Sequence, residues 1–101
     1  MNEIEGEGVY LWNDDKKYVG QWKQNKMHGN GHLTYPDGKQ YIGDFREDKR
    51  NGHGKFIWVD GREYDGEWEN GKQNGEGYYT TRTGNRKKGI WQQGQRLKWL
   101  E

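Results

Sequence analysis

The sequence predicts an all-β protein: a single elongated, curved antiparallel meander of about eight strands, built from tandem 23-residue β-hairpin repeats. Three observations predict it. Segments 18–40, 41–63 and 64–86 align without a gap, and their openings read YVGQWKQ, YIGDFRE and YDGEWEN. Self-similarity at a fixed period of this length marks a repeat architecture. Within each copy the side chains alternate with period two, as a strand requires. Turn-forming residues recur at one point of the period, as Asp37-Gly38, Asp60-Gly61 and, in weaker form, Thr83-Gly84.

Each copy holds two strands. In the second copy, Tyr41, Gly43 and Phe45 alternate with Ile42 and Asp44. About six polar residues later, Gly52, Gly54, Phe56 and Trp58 alternate with His53, Lys55 and Ile57. The turn after the second strand is tight. Tyr35-Pro36-Asp37-Gly38 suits a type I turn with proline at its second position and glycine in the left-handed position that follows. The other connection, such as Lys23–His28, reads as longer and looser. A partial copy at 5–17 precedes the full ones and a decayed copy at 87–101 follows, so one repeat domain covers 1–101. Nothing has helical periodicity apart from a short tail, Gln95–Leu100, whose pattern is ambiguous between helix and strand.

Tight turns fix a register. A hairpin centred on Asp37 pairs Leu33 with Tyr41 and Gly31 with Gly43; keeping the same face through the looser connection pairs Gly31 with Gly20, Leu33 with Tyr18 and Gly29 with Trp22. One glycine per strand then falls into a single row: Gly8, Gly20, Gly31, Gly43, Gly54, Gly66, Gly77 and Gly89. Aromatics bank one side of this row. On the other side rings alternate with glycines, which suggests that each ring lies on the bare glycine across the strand. The glycines are therefore architectural, letting the sheet bend. No lysine–serine pair or helix start follows them, so a phosphate loop is unsupported. Eight strands spaced about 4.8 Å apart give a length on the order of 35 Å.

Composition narrows the chemistry. Hydrophobic residues make up 28% of the chain and are mostly six Trp, seven Tyr and two Phe, while 33% is charged. The large rings oppose the disorder that such a charge content would otherwise favour. Net charge is +1 with both signs interleaved, which is not the basic stripe of a nucleic-acid binder. There is no cysteine or serine, so thiolate metal sites, disulfides and Ser or Cys nucleophiles are excluded. His28 and His32 straddle two glycines; one is placed in a loop and the other, like His53, among polar residues, so no metal site is expected. Asp44 and Glu67 recur in one slot on the polar face, beside lysines and arginines, and read as cross-strand ion pairs rather than a catalytic carboxylate pair. No cofactor is expected. The N-terminal MNEIEGEGVY has no apolar h-region and no run of about 20 apolar residues occurs, so neither a signal peptide nor a membrane span is visible.

The motif residues Tyr18/Gly20/Trp22, Tyr41/Gly43/Phe45 and Tyr64/Gly66/Trp68, continued by Gly29/Gly31, Gly52/Gly54 and Gly75/Gly77, resemble the MORN repeat (membrane occupation and recognition nexus). That signature is roughly Y-x-G-x-W-x-x-G-x-x-x-G-x-G-x-x-x-x-x-D-G. Departures are Phe45 for Trp, Asn25 and Asp48 where the family often has Gly, and Lys87 for the leading Tyr, where the array ends. The resemblance implies non-catalytic scaffold work in the cytoplasm, near cytoskeleton, cilia or the cytoplasmic membrane face. Three functional readings follow. A protein segment, helical or extended, lies along a groove of Trp12, Tyr18, Trp22, Tyr35, Tyr41, Phe45, Trp58, Tyr64 and Trp68. Alternatively, Arg46, Lys49, Arg50, Arg82, Arg86, Lys87 and Lys88 attract anionic phospholipid, phosphoinositides included. The chain could instead be an accessory segment of a larger enzyme such as a lipid kinase. Open terminal strands allow end-to-end homodimers, and Trp58 is expected to face Arg62 across its turn.

Overall fold

Period-two alternation produces nine strands in the computed structural model, which describes residues 5–100. They are β1 (Gly6–Leu11), β2 (Lys17–Lys23), β3 (Lys26–Thr34), β4 (Gln40–Arg46), β5 (Lys49–Ile57), β6 (Glu63–Glu69), β7 (Lys72–Thr80), β8 (Arg86–Gln92) and β9 (Gln95–Trp99). All lie in one antiparallel sheet in chain order. The ninth strand corrects the count of about eight, because the tail after Gln95 pairs with β8. Principal extents are 51 × 24 × 17 Å, longer than strand spacing alone predicts for eight strands.

The register on the tight side is as expected. Gly31 opposes Gly43 and Leu33 opposes Tyr41; Gly54 opposes Gly66 and Phe56 opposes Tyr64. The Tyr35 turn closes with Tyr35 N–H on the Lys39 carbonyl at 2.9 Å and Gly38 N–H on the Tyr35 carbonyl at 2.9 Å. Gly38 takes φ +99° there.

The other connection departs from expectation. It is not a six-residue loop but a two-residue turn, Gln24-Asn25, with φ of 50° and 66°. Positive φ at both central residues is the mirror-image turn that matches strand twist, and Asn70-Gly71 repeats it at 50° and 85°. Because this turn is short, strand pairing must absorb the surplus residues. Trp22 opposes Met27, not Gly29, and the ladder shifts register between Gly20 and Trp22. The same bulge recurs between Gly43 and Phe45 and between Gly66 and Trp68. His28 consequently sits on β3 rather than in a loop.

The bulges stitch neighbouring hairpins. Asp48 N–H donates to the Met27 carbonyl at 2.9 Å, and Gly71 and Gly94 repeat this bond to Arg50 and Gln73, each at 2.8 Å. The backbone groups that leave the ladder thus find partners on the next turn, as buried or half-buried amides must.

The core lies on one face of the sheet and is filled by its own rings. Tyr18, Tyr41 and Tyr64 are wholly buried, and Trp22, Phe45, Phe56, Trp68 and Trp91 nearly so. The glycine row makes the room for them: a Cβ at Gly31, Gly54 or Gly77 would strike the ring of Tyr18, Tyr41 or Tyr64. Tyr41 lies along its own strand across Gly43 and reaches Gly54 of β5; a Cβ at Gly54 would collide with the Tyr41 hydroxyl and Cζ.

Candidate functional site

Six of the nine residues expected to line a groove, Tyr18, Trp22, Tyr41, Phe45, Tyr64 and Trp68, form the interior instead. Tyr41 meets Phe45 at 5.0 Å and Trp68 at 5.4 Å between ring centroids, both edge-on. Tyr64 meets Trp68 at 5.3 Å and Trp91 at 4.8 Å. Such edge-to-face pairs add about 0.5–1.5 kcal/mol each beyond area burial. The three fully buried tyrosine hydroxyls are used locally: Tyr18 donates to the Gln21 carbonyl and Tyr41 to that of Asp44, both at 2.8 Å, and Tyr64 to that of Glu67 at 3.0 Å. Burial pushes the Tyr18 hydroxyl up to about 12 and raises those of Tyr41 and Tyr64 strongly as well.

Rings do lie on bare glycine, but on the main row and not the second one. Tyr18 covers Gly31 and Tyr64 covers Gly77. Trp22 and Trp68 reach the row from the other side, their indole N–H groups donating to the Gly8 and Gly54 carbonyls at 3.2 and 2.9 Å. In the second row, a Cβ at Gly29, Gly52 or Gly75 would point at Gln21, Asp44 or Glu67 on the polar side. Those glycines serve the bulge: Gly52 has φ +102°, where an L side chain is strained.

Of the expected groove residues, Trp12, Tyr35 and Trp58 remain half-buried, packed on the edge of the core. They stand at the openings of successive tight turns, and each carries a cation from the end of its turn. Lys16 Nζ is 4.5 Å from the Trp12 ring centroid, Lys39 Nζ 5.4 Å from Tyr35, and the Arg62 guanidinium 5.2 Å from Trp58. The Trp58–Arg62 pair is the one expected from sequence. The fourth turn substitutes Thr81 and Asn85, and the ladder stops there. Successive rim residues are two strands apart, about 10 Å.

The basic set divides. Arg50 points into the core face, stacked 4.7 Å from Trp68 and 5.3 Å from Phe56, and donates to the Gly71 carbonyl at 2.8 Å. Sequence reasoning placed it with the surface cations because the bulge that turns it inward was not visible. Lys88 pairs with Glu76 at 3.1 Å, and Arg86 stacks on Tyr78 at 4.2 Å. Arg82 and Lys87 are exposed, Lys87 lying 5.6 Å from the Trp99 ring. Arg46 and Lys49 are directly opposite one another, as are Lys23 and Lys26 one hairpin earlier. A hollow of about 470 Å³ is lined by Lys26, Arg46, Glu47, Lys49 and Asn70.

On the polar face, Asp44 and Glu67 do not pair with lysine or arginine among the described residues. Asp44 accepts from the Asn30 side chain and from the His53 backbone N–H at 3.2 Å. His53 lies 3.3 Å from Glu67 and 2.9 Å from Asp65. Their register partners are Asn30 and His53 rather than lysines, and lysine–carboxylate pairs form elsewhere on the face, at Lys55–Glu63 and Lys88–Glu76, 3.1 Å each. His32 meets Gln40 at 2.7 Å. Among the described residues no group of three or more His, Asp or Glu side chains is arranged so that it could hold a metal ion. Nor do these residues form a helix long and apolar enough to cross a membrane.

One sheet of serial hairpins, each bonded only to its neighbours and sharing a core along one face, defines a β-hairpin repeat protein. The family model of the MORN repeat matches residues 1–17, 18–40, 41–61 and 64–86, and the chain belongs to that family. No curated protein matches the sequence.

Proposed function

We propose that the chain is a non-catalytic interaction module that holds a segment of a partner protein along its aromatic rim. One observation carries this reading: the three half-buried rings Trp12, Tyr35 and Trp58 stand at a constant period on one edge, each beside a cation. Rings and arginines are preferred anchors at interfaces. A helix advances about 10.5 Å in seven residues, near the rim's own step, so an amphipathic helix with acidic residues at that interval meets all three positions. Tyr41 is too deeply buried to serve as a binding probe. The test uses a Tyr35→Ala/Trp58→Ala double variant that keeps its far-ultraviolet spectrum. A partner recovered with the wild-type chain and then purified should bind the variant at least about tenfold more weakly; equal affinity refutes the rim.

A second reading rests on a different observation. Lys23 faces Lys26 and Arg46 faces Lys49 across their strands, and none of the four is ion-paired among the described residues. Like charges held opposite repel, and an anionic headgroup between them relieves the repulsion. Sedimentation with vesicles of phosphatidylcholine, with and without phosphatidylserine, tests it. Retention should require the anionic lipid, fall as salt is raised, and weaken in Lys26→Gln/Lys49→Gln. Retention indifferent to lipid charge excludes it.

A further inference from the structure

The two ends of the sheet differ. Through the middle, one tyrosine per repeat lies over two glycines, that of its own strand and that of the next: Tyr18 over Gly20 and Gly31, Tyr41 over Gly43 and Gly54, Tyr64 over Gly66 and Gly77. At the C-terminal end Lys87 occupies the tyrosine's place, and Trp99 of β9 fills the space. A Cβ at Gly89 would lie 3.1 Å from both Trp99 Cε3 and Trp91 Cζ3. Lys87 and Arg96 then sit 5.6 and 4.5 Å from the Trp99 ring. That end is capped.

At the N-terminal end the described residues supply no such cap. Gly8 of β1 is the counterpart of Gly31 and Gly54, yet among the described residues only Trp22 comes within 4 Å of a Cβ placed there. Trp22 registers the same difference. Its counterpart Trp68 touches Tyr64, Phe56 and, from the preceding repeat, Tyr41 at 5.3, 6.1 and 5.4 Å. Trp22 touches Tyr18 and Tyr10 at 5.0 and 6.0 Å, with no described ring in the position of Tyr41. Val9, Tyr10 and Leu11 of β1 are 66%, 42% and 64% exposed. An edge strand with free backbone groups and apolar side chains is a template for a further strand.

We propose that the outer edge of β1 accepts a Tyr-x-Gly strand from another protein chain, its glycine opposite Gly8 and its tyrosine ring laid over Gly8 against Trp22. The occupant follows from the register, since Tyr18 opposes Leu33 and Gly20 opposes Gly31 in the interior. That register puts the incoming tyrosine opposite Tyr10. A second folded copy does not fit. Its Tyr-x-Gly strands are paired on both sides, and its free edges offer GEGVYL and QRLKW, neither of which contains the motif.

The peptide Lys39–Glu47, KQYIGDFRE, serves as probe. Titrated with the 101-residue chain, the labelled peptide should bind saturably, and its Tyr41→Ala and Gly43→Val forms at least about tenfold more weakly. The chain has no cysteine, so the site can be mapped by disulfide trapping. Val9→Cys in the chain should capture a peptide carrying Ile42→Cys, the residue opposite it in this register, whereas Lys98→Cys on β9 should not. Equal affinity of the three peptides, equal trapping at both edges, or no saturable binding by a chain with an intact strand spectrum overturns the proposal. So does self-association of the chain that Val9→Cys trapping places at β1.

Discussion

At the scale of single residues, the fold depends on a Tyr–Gly–Gly unit repeated three times, and space rather than backbone conformation makes its glycines necessary. Gly54 and Gly61 separate the two effects. A methyl at Gly54 has no room beside Tyr41, whereas Gly61, at φ +97°, has nothing within 4 Å of its would-be Cβ. Gly54→Ala should cost about 3 kcal/mol or more in urea denaturation, and Gly61→Ala about 1 kcal/mol from left-handed strain alone. The buried tyrosines also tie stability to alkaline pH. A free tyrosine ionises near 10, while burial raises Tyr18 to about 12 and moves Tyr41 and Tyr64 in the same direction. Above pH about 10 the unfolded chain therefore loses protons that the folded chain keeps, and stability falls with rising pH. Stability should be insensitive to tyrosine ionisation below that pH, then decline steeply, with near-ultraviolet dichroism lost in the same range; a flat profile to pH 12 would show the hydroxyls to be accessible.

At the scale of elements, the tight hairpins were legible and the mirror-image ones were not. Pro36, Asp37 and Gly38 state their turn in their own chemistry, and the Gly31–Gly43 register follows from it. Gln24-Asn25 and Glu47-Asp48 carry no glycine, yet both residues of each pair adopt positive φ. Twist favours this conformation in both, and at Glu47-Asp48 bonds from outside the hairpin hold it: the Asp48 carboxylate accepts from the Met27 N–H at 2.7 Å, and the Glu47 N–H donates to His28 Nδ1 at 3.4 Å. Local sequence could not disclose a turn stabilised by the preceding hairpin, and missing the turn hid both the bulge and the inward swing of Arg50. Gln24 at φ 50° should then be improvable. Gln24→Asn, better suited to the left-handed region, should raise the urea midpoint by the equivalent of a few tenths to about 1 kcal/mol without changing the slope. No increase would mean that the turn is already fixed from outside.

At the scale of the molecule, the strands pair in the sheet only with their sequence neighbours, and the buried rings reach no further than the next repeat, so the array should tolerate loss of a whole period. Removing residues 41–63 joins Gln40 to Tyr64, which offers Leu33 a tyrosine, Gly31 a glycine and Gly29 a tryptophan in unchanged register. The shortened chain should keep a strand-rich spectrum with a urea slope smaller by roughly a quarter; an unfolded product would show that the central repeat is indispensable to its neighbours. The repeat and the glycine row were readable because both are strictly periodic. The division of the aromatics into interior and rim was not, since it depends on how far a lone sheet folds over its own side chains. The serial order of strands also sets how the chain responds to a pull on its two termini. Tension meets no bond that spans distant parts of the sequence, so β1 and β9 would peel away first and the rest would unzip hairpin by hairpin, giving a low, sawtoothed resistance instead of a single rupture.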